Sequence, residues 1–137
     1  MIRLHLIRDE RGVAAIEMAF ALPILTLFLF GIFQVGMVMA ADAGMQHALG
    51  EGARIATLYP TPSDSVIQQK ITDKVFGTYI GSYVVDSPAT TSVTGTNGVV
   101  TPLYKDLRVS YSVTPDFLFF TGPQVNFTRT KRVYLSF

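Results

Sequence analysis

The sequence predicts an α+β protein: a long N-terminal helix that crosses a membrane leads into a small domain, which holds a second short helix and an antiparallel sheet of three to five strands. Two observations favour this fold class. One long apolar run lies near the N-terminus, and the residues after Tyr83 change to β-branched, aromatic and turn-forming types. Of the 137 residues, 49% are hydrophobic. Because the long apolar stretch occurs in one segment only, we expect one membrane crossing and one domain.

The predicted membrane span is residues 18–41, a run without charge that is interrupted only by a proline, a threonine and Gln34. These 24 residues would form a helix about 36 Å long, which exceeds a hydrocarbon core of about 30 Å. A cleaved secretory signal is the alternative, with a weak cleavage motif at residues 39–42. Its apolar segment normally has only about 7 to 15 residues, so a permanent span is favoured.

Basic residues predict the orientation of the span. Three arginines occur in the first 11 residues, and no lysine or arginine lies between Glu17 and Arg54. The positive-inside rule therefore predicts a cytoplasmic N-terminus, with the domain of residues 60–137 on the other side of the membrane.

Small residues recur at four-residue steps along the predicted N-terminal helix, residues 13–59. Such spacing lets a second helix approach closely. The partner could be a helix of another subunit or the chain's own domain, and the sequence favours neither. The candidate packing residues are Gly36, Ala40, Gly44, Ala48, Gly52 and Ala56.

The domain is predicted to begin after the Tyr59–Pro62 break, where Ser63 or Asp64 would cap a second helix. Its apolar face would hold Val66, Ile67, Ile71, Val75, Phe76 and Tyr79. A hairpin turn is expected at Thr96–Gly98. Phe117–Phe120 is expected to close the core; the alternative is that it is exposed and provides an apolar contact surface. Strands are predicted at Thr91–Val93, Val99–Thr101, Leu107–Val113 and Val125–Phe137, with Phe127, Val133, Leu135 and Phe137 as core candidates.

Composition argues against several function classes. The net charge is +1 and no run of five or six basic residues occurs, so no nucleic-acid partner is expected. The chain has no cysteine, and its two histidines, His5 and His47, have no nearby ligand set, so no metal or cofactor is predicted. The acidic residues after the span occur one at a time rather than in pairs or clusters. The glycine-containing motifs of nucleotide-binding proteins and of serine hydrolases do not occur in the sequence. We therefore expect no enzyme.

The most specific pattern precedes the apolar run. Gly12 follows a charged leader, Val13 opens an apolar segment, and Glu17 is the last charge before the span. An acid costs on the order of 3 kcal/mol at a membrane helix centre and less near its end, so Glu17 is either a solvated headgroup residue or a functional one. The pattern resembles the class III leader of type IV pilin-like proteins, in which a prepilin peptidase cuts after the glycine and would here release residues 1–12.

More narrowly, Gly-Val-Ala-Ala-Ile-Glu-Met-Ala-Phe-Ala-Leu-Pro (12–23) and Gly-Glu-Gly-Ala-Arg (50–54) resemble the TadE-like family of tight-adherence (Flp) pilus proteins. The resemblance implies a pilin-like fold and a minor pseudopilin of the bacterial inner membrane. It assigns leader cleavage to Gly12 and Val13 and assembly to Glu17. The implied partners are the membrane, a prepilin peptidase, other pilins or pseudopilins and assembly-platform proteins. The alternative is an uncleaved, membrane-anchored scaffold or binding module of the envelope.

Cleavage would leave a charged amine on Val13. The carboxylate of Glu17 on a neighbouring helix could neutralise that amine when subunits assemble. Because desolvation opposes the attraction, such a pair would specify register more than it adds stability.

Overall fold

The computed structural model describes residues 10–135. This part of the chain folds into two helices and a four-stranded antiparallel sheet, so the predicted α+β class is confirmed. The elements in chain order are α1 (Glu10–Ala56), α2 (Asp64–Lys74), β1 (Ser82–Val85), β2 (Ala89–Thr94), β3 (Val100–Val113) and β4 (Val125–Tyr134).

Helix α1 has 47 residues and continues through Pro23. At about 1.5 Å per residue it is roughly 70 Å long, about twice the length that a membrane crossing needs. It closes with a backbone bond from the Leu58 N–H to the Ile55 carbonyl, at 3.0 Å, just before Pro60. The residue that precedes a proline disfavours helical geometry, which explains why the helix ends here.

Helix α2 begins at the predicted cap. The carbonyl of Ser63 accepts bonds from the N–H groups of Val66 and Ile67 at 3.0 and 3.1 Å. The Ser63 side chain makes no capping bond and instead lies 3.0 Å from the hydroxyl of Ser65. The backbone conformation of Ser63, rather than its hydroxyl, therefore starts the helix.

The predicted apolar face of α2 is wrong in part. Only Ile67 and Ile71 are fully buried, whereas Val66, Phe76 and Tyr79 are more than half exposed. For Phe76 and Tyr79 the cause is the early end of the helix at Lys74, after which the chain becomes extended and the helical spacing no longer applies. Val66 lies within the helix but outside its buried face.

Strand β3 is the centre of the sheet. Its Val100–Asp106 part pairs with β2, its Val109–Ser112 part pairs with β1, and its opposite edge pairs with β4 from Tyr104 to Val113. The predicted hairpin joins β2 to β3: the Gly95 and Gly98 amides donate to the Val99 and Gly95 carbonyls, each at 2.9 Å. Gly98 has φ +78°, which glycine adopts without steric cost.

The core forms where the sheet packs on α1 and α2. Alternate residues of β3 point inward, as the sequence period predicts, and Val133 joins them from β4. Of the other core candidates near the C-terminus, Phe127 on β4 and Leu135 just after it are half-buried, and Phe137 lies outside the described residues. The buried apolar residues are Ala41, Met45, Ala48, Leu49, Ala53, Ala56, Ile67, Ile71, Leu107, Val109, Tyr111, Val113 and Val133.

The expectation that Phe117–Phe120 closes the core is wrong. Leu118, Phe119 and Phe120 are 55, 63 and 55% exposed. This segment lies in the connection between β3 and β4, beyond the end of the sheet, and Phe117 reaches α1 near Gly31 rather than the core.

Candidate assembly site on the long helix

Helix α1 has two halves with different surroundings. The inner half, residues 12–40, has the length and composition of a membrane span, and the domain does not bury its apolar stretch. The outer half, residues 41–56, supplies six members of the core. The arrangement is therefore one apolar helix that can cross a membrane once, followed by a domain that is folded around its outer end.

Gly12 and Val13 lie in the first turn of α1. A Cβ built on Gly12 would meet no atom within 4 Å, and Val13 is 66% exposed. Glycine weakens a helix by about 1 kcal/mol relative to alanine. The peptide bond between these residues is thus uncovered and lies at a weak point of the helix.

Glu17 is exposed and is the only charged residue between Val13 and Ala41. It lies four residues after Val13, so both side chains are on one face of α1, about 6 Å apart along the axis. Of the leader residues, Arg3, His5 and Arg8 lie outside the described part of the chain.

The small residues of the outer half contact the chain's own domain. A Cβ on Gly44 would collide with the carbonyl group of Phe76, and one on Gly52 would collide with the side chain of Ile71. Ala48 is fully buried. These residues let α2 and the segment after it approach the backbone of α1.

The small residues of the inner half differ from one another. The backbone of Ala40 lies against Gly77, which has φ +75° and leaves no room for a Cβ. Gly36, by contrast, has no atom within 4 Å of the position that a Cβ would occupy. Gly36 is thus the small residue of the series that is left open to another helix.

An ion pair fastens β4 to α1 where the two halves meet. Nε and an Nη of Arg129 donate to the two carboxylate oxygens of Asp42 at 2.6 and 3.0 Å. This bond lowers the pKa of Asp42 below its ordinary value, and the same pairing raises the pKa of Arg129. Sequence analysis missed the pair, and its only signal was that Asp42 is the first charge after the apolar run.

A second missed contact joins the inner half to the β3–β4 connection. Nε2 of Gln34 donates to the backbone carbonyl of Asp116 at 2.8 Å. Its Oε1 is buried without a partner among the described residues. The sequence signal was an isolated amide in an apolar run, which had no visible partner because Asp116 lies 82 positions later.

The remaining polar contacts hold the domain together. Lys105 is buried and donates to Asp64 and to the hydroxyl of Thr90. His47 packs against the ring of Phe76, with 5.7 Å between the ring centroids. Among residues 10–135, no group of three or more histidine, cysteine, aspartate or glutamate side chains could hold a metal ion.

Comparison with known proteins agrees with this placement. The family model described as TadE-like protein matches residues 12–54. The matched segment begins at Gly12, includes Val13 and Glu17, and ends with the Gly50–Arg54 stretch, so the resemblance to this family is confirmed over most of α1. No curated protein and no solved structure matches the chain.

Proposed function

We propose that this chain, whose long helix matches the TadE-like family, is a minor pseudopilin of a tight-adherence pilus, cleaved after Gly12 by a prepilin peptidase. The family match indicates involvement in tight-adherence pilus assembly, and proteins of this family are typically structural. One observation carries the finer proposal: Gly12, Val13 and Glu17 lie on a part of α1 that the chain's own domain leaves uncovered.

Cleavage after Gly12 requires that the peptidase reach an extended backbone. The bond lies in the first described turn of α1, and the glycine lowers the cost of opening the helix there. No atom of the domain lies close to Gly12. With the N-terminus in the cytoplasm, the bond would lie at the cytoplasmic surface of the membrane, where such a peptidase acts.

Cleavage would create a positive charge that the carboxylate of Glu17 can neutralise. The new amine of Val13 would be a positive group at the N-terminal end of a helix, where the helix dipole disfavours it. The carboxylate of Glu17, one turn further on, is the only opposite charge that the inner half offers. When helices pack side by side in a filament, Glu17 of one subunit can approach the Val13 amine of the next.

The strength of this pair depends on the axial offset between subunits. At about 4 Å, two unit charges attract by about 4 kcal/mol with an effective dielectric of about 20. A slip by one helical turn, about 5.4 Å along the axis, lengthens the separation to about 7 Å and leaves about 2.5 kcal/mol, while desolvation still opposes the pair. The charge pair would therefore select one register among the many that a smooth apolar helix allows.

The first experiment determines the N-terminal residue of the protein recovered from membranes and from sheared pili. We expect Val13, dependent on the prepilin peptidase and on Gly12. Gly12→Ala is a clean test because the added methyl group meets no other atom, so the fold is unaffected. Gly36→Ala, in an equally open position of the same half, is the matched control and should be cleaved normally.

A second experiment separates processing from assembly. Glu17→Gln should be cleaved like the wild type but should enter pili or assembly complexes less efficiently. Glu51→Gln removes a carboxylate from the outer half of the same helix and should assemble normally. An intact Met1 in every fraction would contradict the proposal and would make the chain a permanently anchored scaffold.

A further inference from the structure

We infer that the tip of the β3–β4 connection, Phe117–Phe120, is a second membrane contact that enters the outer leaflet of the bilayer beside α1. The domain would then be held at the membrane by two elements rather than one. The inference uses the single membrane span but does not depend on leader cleavage.

The tip lies against the inner half of α1. Phe117 is the nearest neighbour of Gly31, at 3.9 Å from the position of a Cβ on that glycine. Phe117 and Phe120 form one wall of an apolar groove of about 460 Å³, and five α1 residues between Leu27 and Val35 form the other. The tip therefore reaches residues that belong to the apolar run itself.

The apolar groups of the tip have no cover within the described chain. Leu118, Phe119 and Phe120 remain 55 to 63% exposed, and the tip carries no charge. A contiguous exposed apolar patch of this kind marks a binding surface. Here the patch is continuous with the exposed apolar surface of the span, so the same bilayer can cover both.

Three of the four backbone N–H groups of the tip have internal partners, which lowers the cost of placing them in a lipid environment. The Phe117 and Phe119 N–H groups donate to the Phe120 and Phe117 carbonyls at 3.0 and 2.8 Å. The Leu118 N–H donates to the carboxylate of Asp116 at 3.2 Å. Leu118 has φ +71°, an unfavourable conformation for leucine that folds these donors back on the tip.

Polar groups mark the depth of insertion. The bond from Gln34 to the Asp116 carbonyl lies at the neck of the loop, and Asp116 supplies the nearest charge. From Glu17 to Gln34 the helix rises about 26 Å, close to the thickness of a thin hydrocarbon layer. With these two residues at opposite interfaces, the tip lies up to about 10 Å below the outer one, level with residues 27–31.

This placement moves the outer boundary of the span inward from Ala41 by about two turns. Residues 35–41 would then lie at the level of the lipid headgroups, and the Asp42–Arg129 pair would lie just above them. The sheet would meet the membrane surface through the ends of β3 and β4.

Tryptophan fluorescence can test the contact, because the chain has no tryptophan. Phe119→Trp places a single reporter at an exposed position of the tip, where a larger ring meets no packing constraint. Tyr59→Trp is the control, since Tyr59 is 91% exposed and follows the far end of α1. The full-length chain is reconstituted in phosphatidylcholine vesicles at low protein density, with and without acyl chains brominated near the middle.

We expect the emission of Phe119→Trp to be shifted to the blue of the Tyr59→Trp emission and to be quenched by the brominated lipids, while the control is unaffected. Emission like that of the control, without quenching, would overturn the inference. A blue shift that appears only at high protein density, without quenching, would also overturn it, because a second copy would then cover the tip. All these fluorescence measurements use the uncleaved chain, so their outcome does not depend on leader cleavage. An intact N-terminus in membranes and pili would refute the proposed processing but would not affect the inferred membrane contact.

Discussion

In the outer half of α1, Gly44 and Gly52 lie against Phe76 and Ile71 of the chain's own domain, whereas in the inner half Gly36 has no neighbour within 4 Å. The two halves share one four-residue spacing of small residues. The difference shows that the spacing indicates close approach to the helix backbone, but it does not identify the partner.

The same contrast separates stability from assembly. The outer half contributes to the core that α2 and the sheet complete, so changes there should unfold the domain. The domain leaves the apolar stretch of the inner half uncovered, so changes there should leave the domain folded. Paired substitutions, one in each region, can break or sharpen this division.

The largest expected effect comes from truncating the core. Leu107→Ala removes a fully buried side chain and should lower the free energy of unfolding by about 3 kcal/mol. Leu29→Ala, at a residue of the inner half that is 57% exposed, should change it by less than about 0.5 kcal/mol. Denaturation in detergent, followed by the near-ultraviolet circular dichroism of the tyrosines, measures both. Equal losses would mean that the inner half folds as one unit with the domain.

The second largest loss of stability is expected where the segment after α2 approaches a glycine of α1 closely. Gly44→Ala places a methyl group on the backbone of Phe76, which cannot rotate away, so we expect a loss of about 2 kcal/mol. Gly36→Ala should be neutral or should stabilise the helix by up to about 1 kcal/mol. The same denaturation experiment compares the two variants. An unchanged Gly44→Ala would show that the segment after α2 does not pack as described.

Much of this fold follows from local sequence patterns. The two-residue period of Leu107–Val113 predicted which side of β3 is buried, and Asn97-Gly98 predicted the hairpin, because both depend on neighbours in the chain. The length and composition of the apolar run likewise predicted α1. The family-like residues at 12–17 could be recognised for the same reason.

Contacts between distant segments could not be predicted in this way. The composition of Phe117–Phe120 predicts a core segment. It lies beside Gly31 instead, because the chain leaves the sheet after β3 and returns to it only at the start of β4. The face of α2 was predicted more than one turn too long because the fit of Gly77 against Ala40 depends on tertiary packing. Local periodicity carries no information about which segment meets another across the fold.

Removal of one buried hydroxyl group near the boundary of the two halves should lower the free energy of unfolding by an intermediate amount. The Tyr111 hydroxyl donates to the Ile80 carbonyl, and Ile80 follows the Gly77 segment that contacts α1. Tyr111→Phe leaves that carbonyl without its donor and should cost about 1 kcal/mol. Tyr79→Phe, at a residue that is 81% exposed, is the matched control and should cost nothing measurable. Equal stability of the two variants would refute the role of this bond.

The smallest effect is expected where the two halves meet, at Asp42. The bond from Arg129 holds the pKa of this carboxyl below its ordinary value, so the folded state binds the proton less readily than the unfolded chain does. The stabilisation is therefore fully present above about pH 4, the ordinary pKa of aspartate, and is lost as the pH falls through the lowered pKa.

Asp42→Asn should accordingly lower the unfolding midpoint at pH 7, by less than any of the preceding core substitutions, because the pair is partly solvated. The difference from the wild type should shrink as the pH falls below about 4, and added salt should reduce it at pH 7. Exchanging the charges, with Asp42→Arg and Arg129→Asp together, should restore part of the loss if the contact is electrostatic. A difference that stays constant from pH 7 to low pH would show instead that Asp42 acts through packing, and that the sheet is fastened to α1 by its apolar contacts alone.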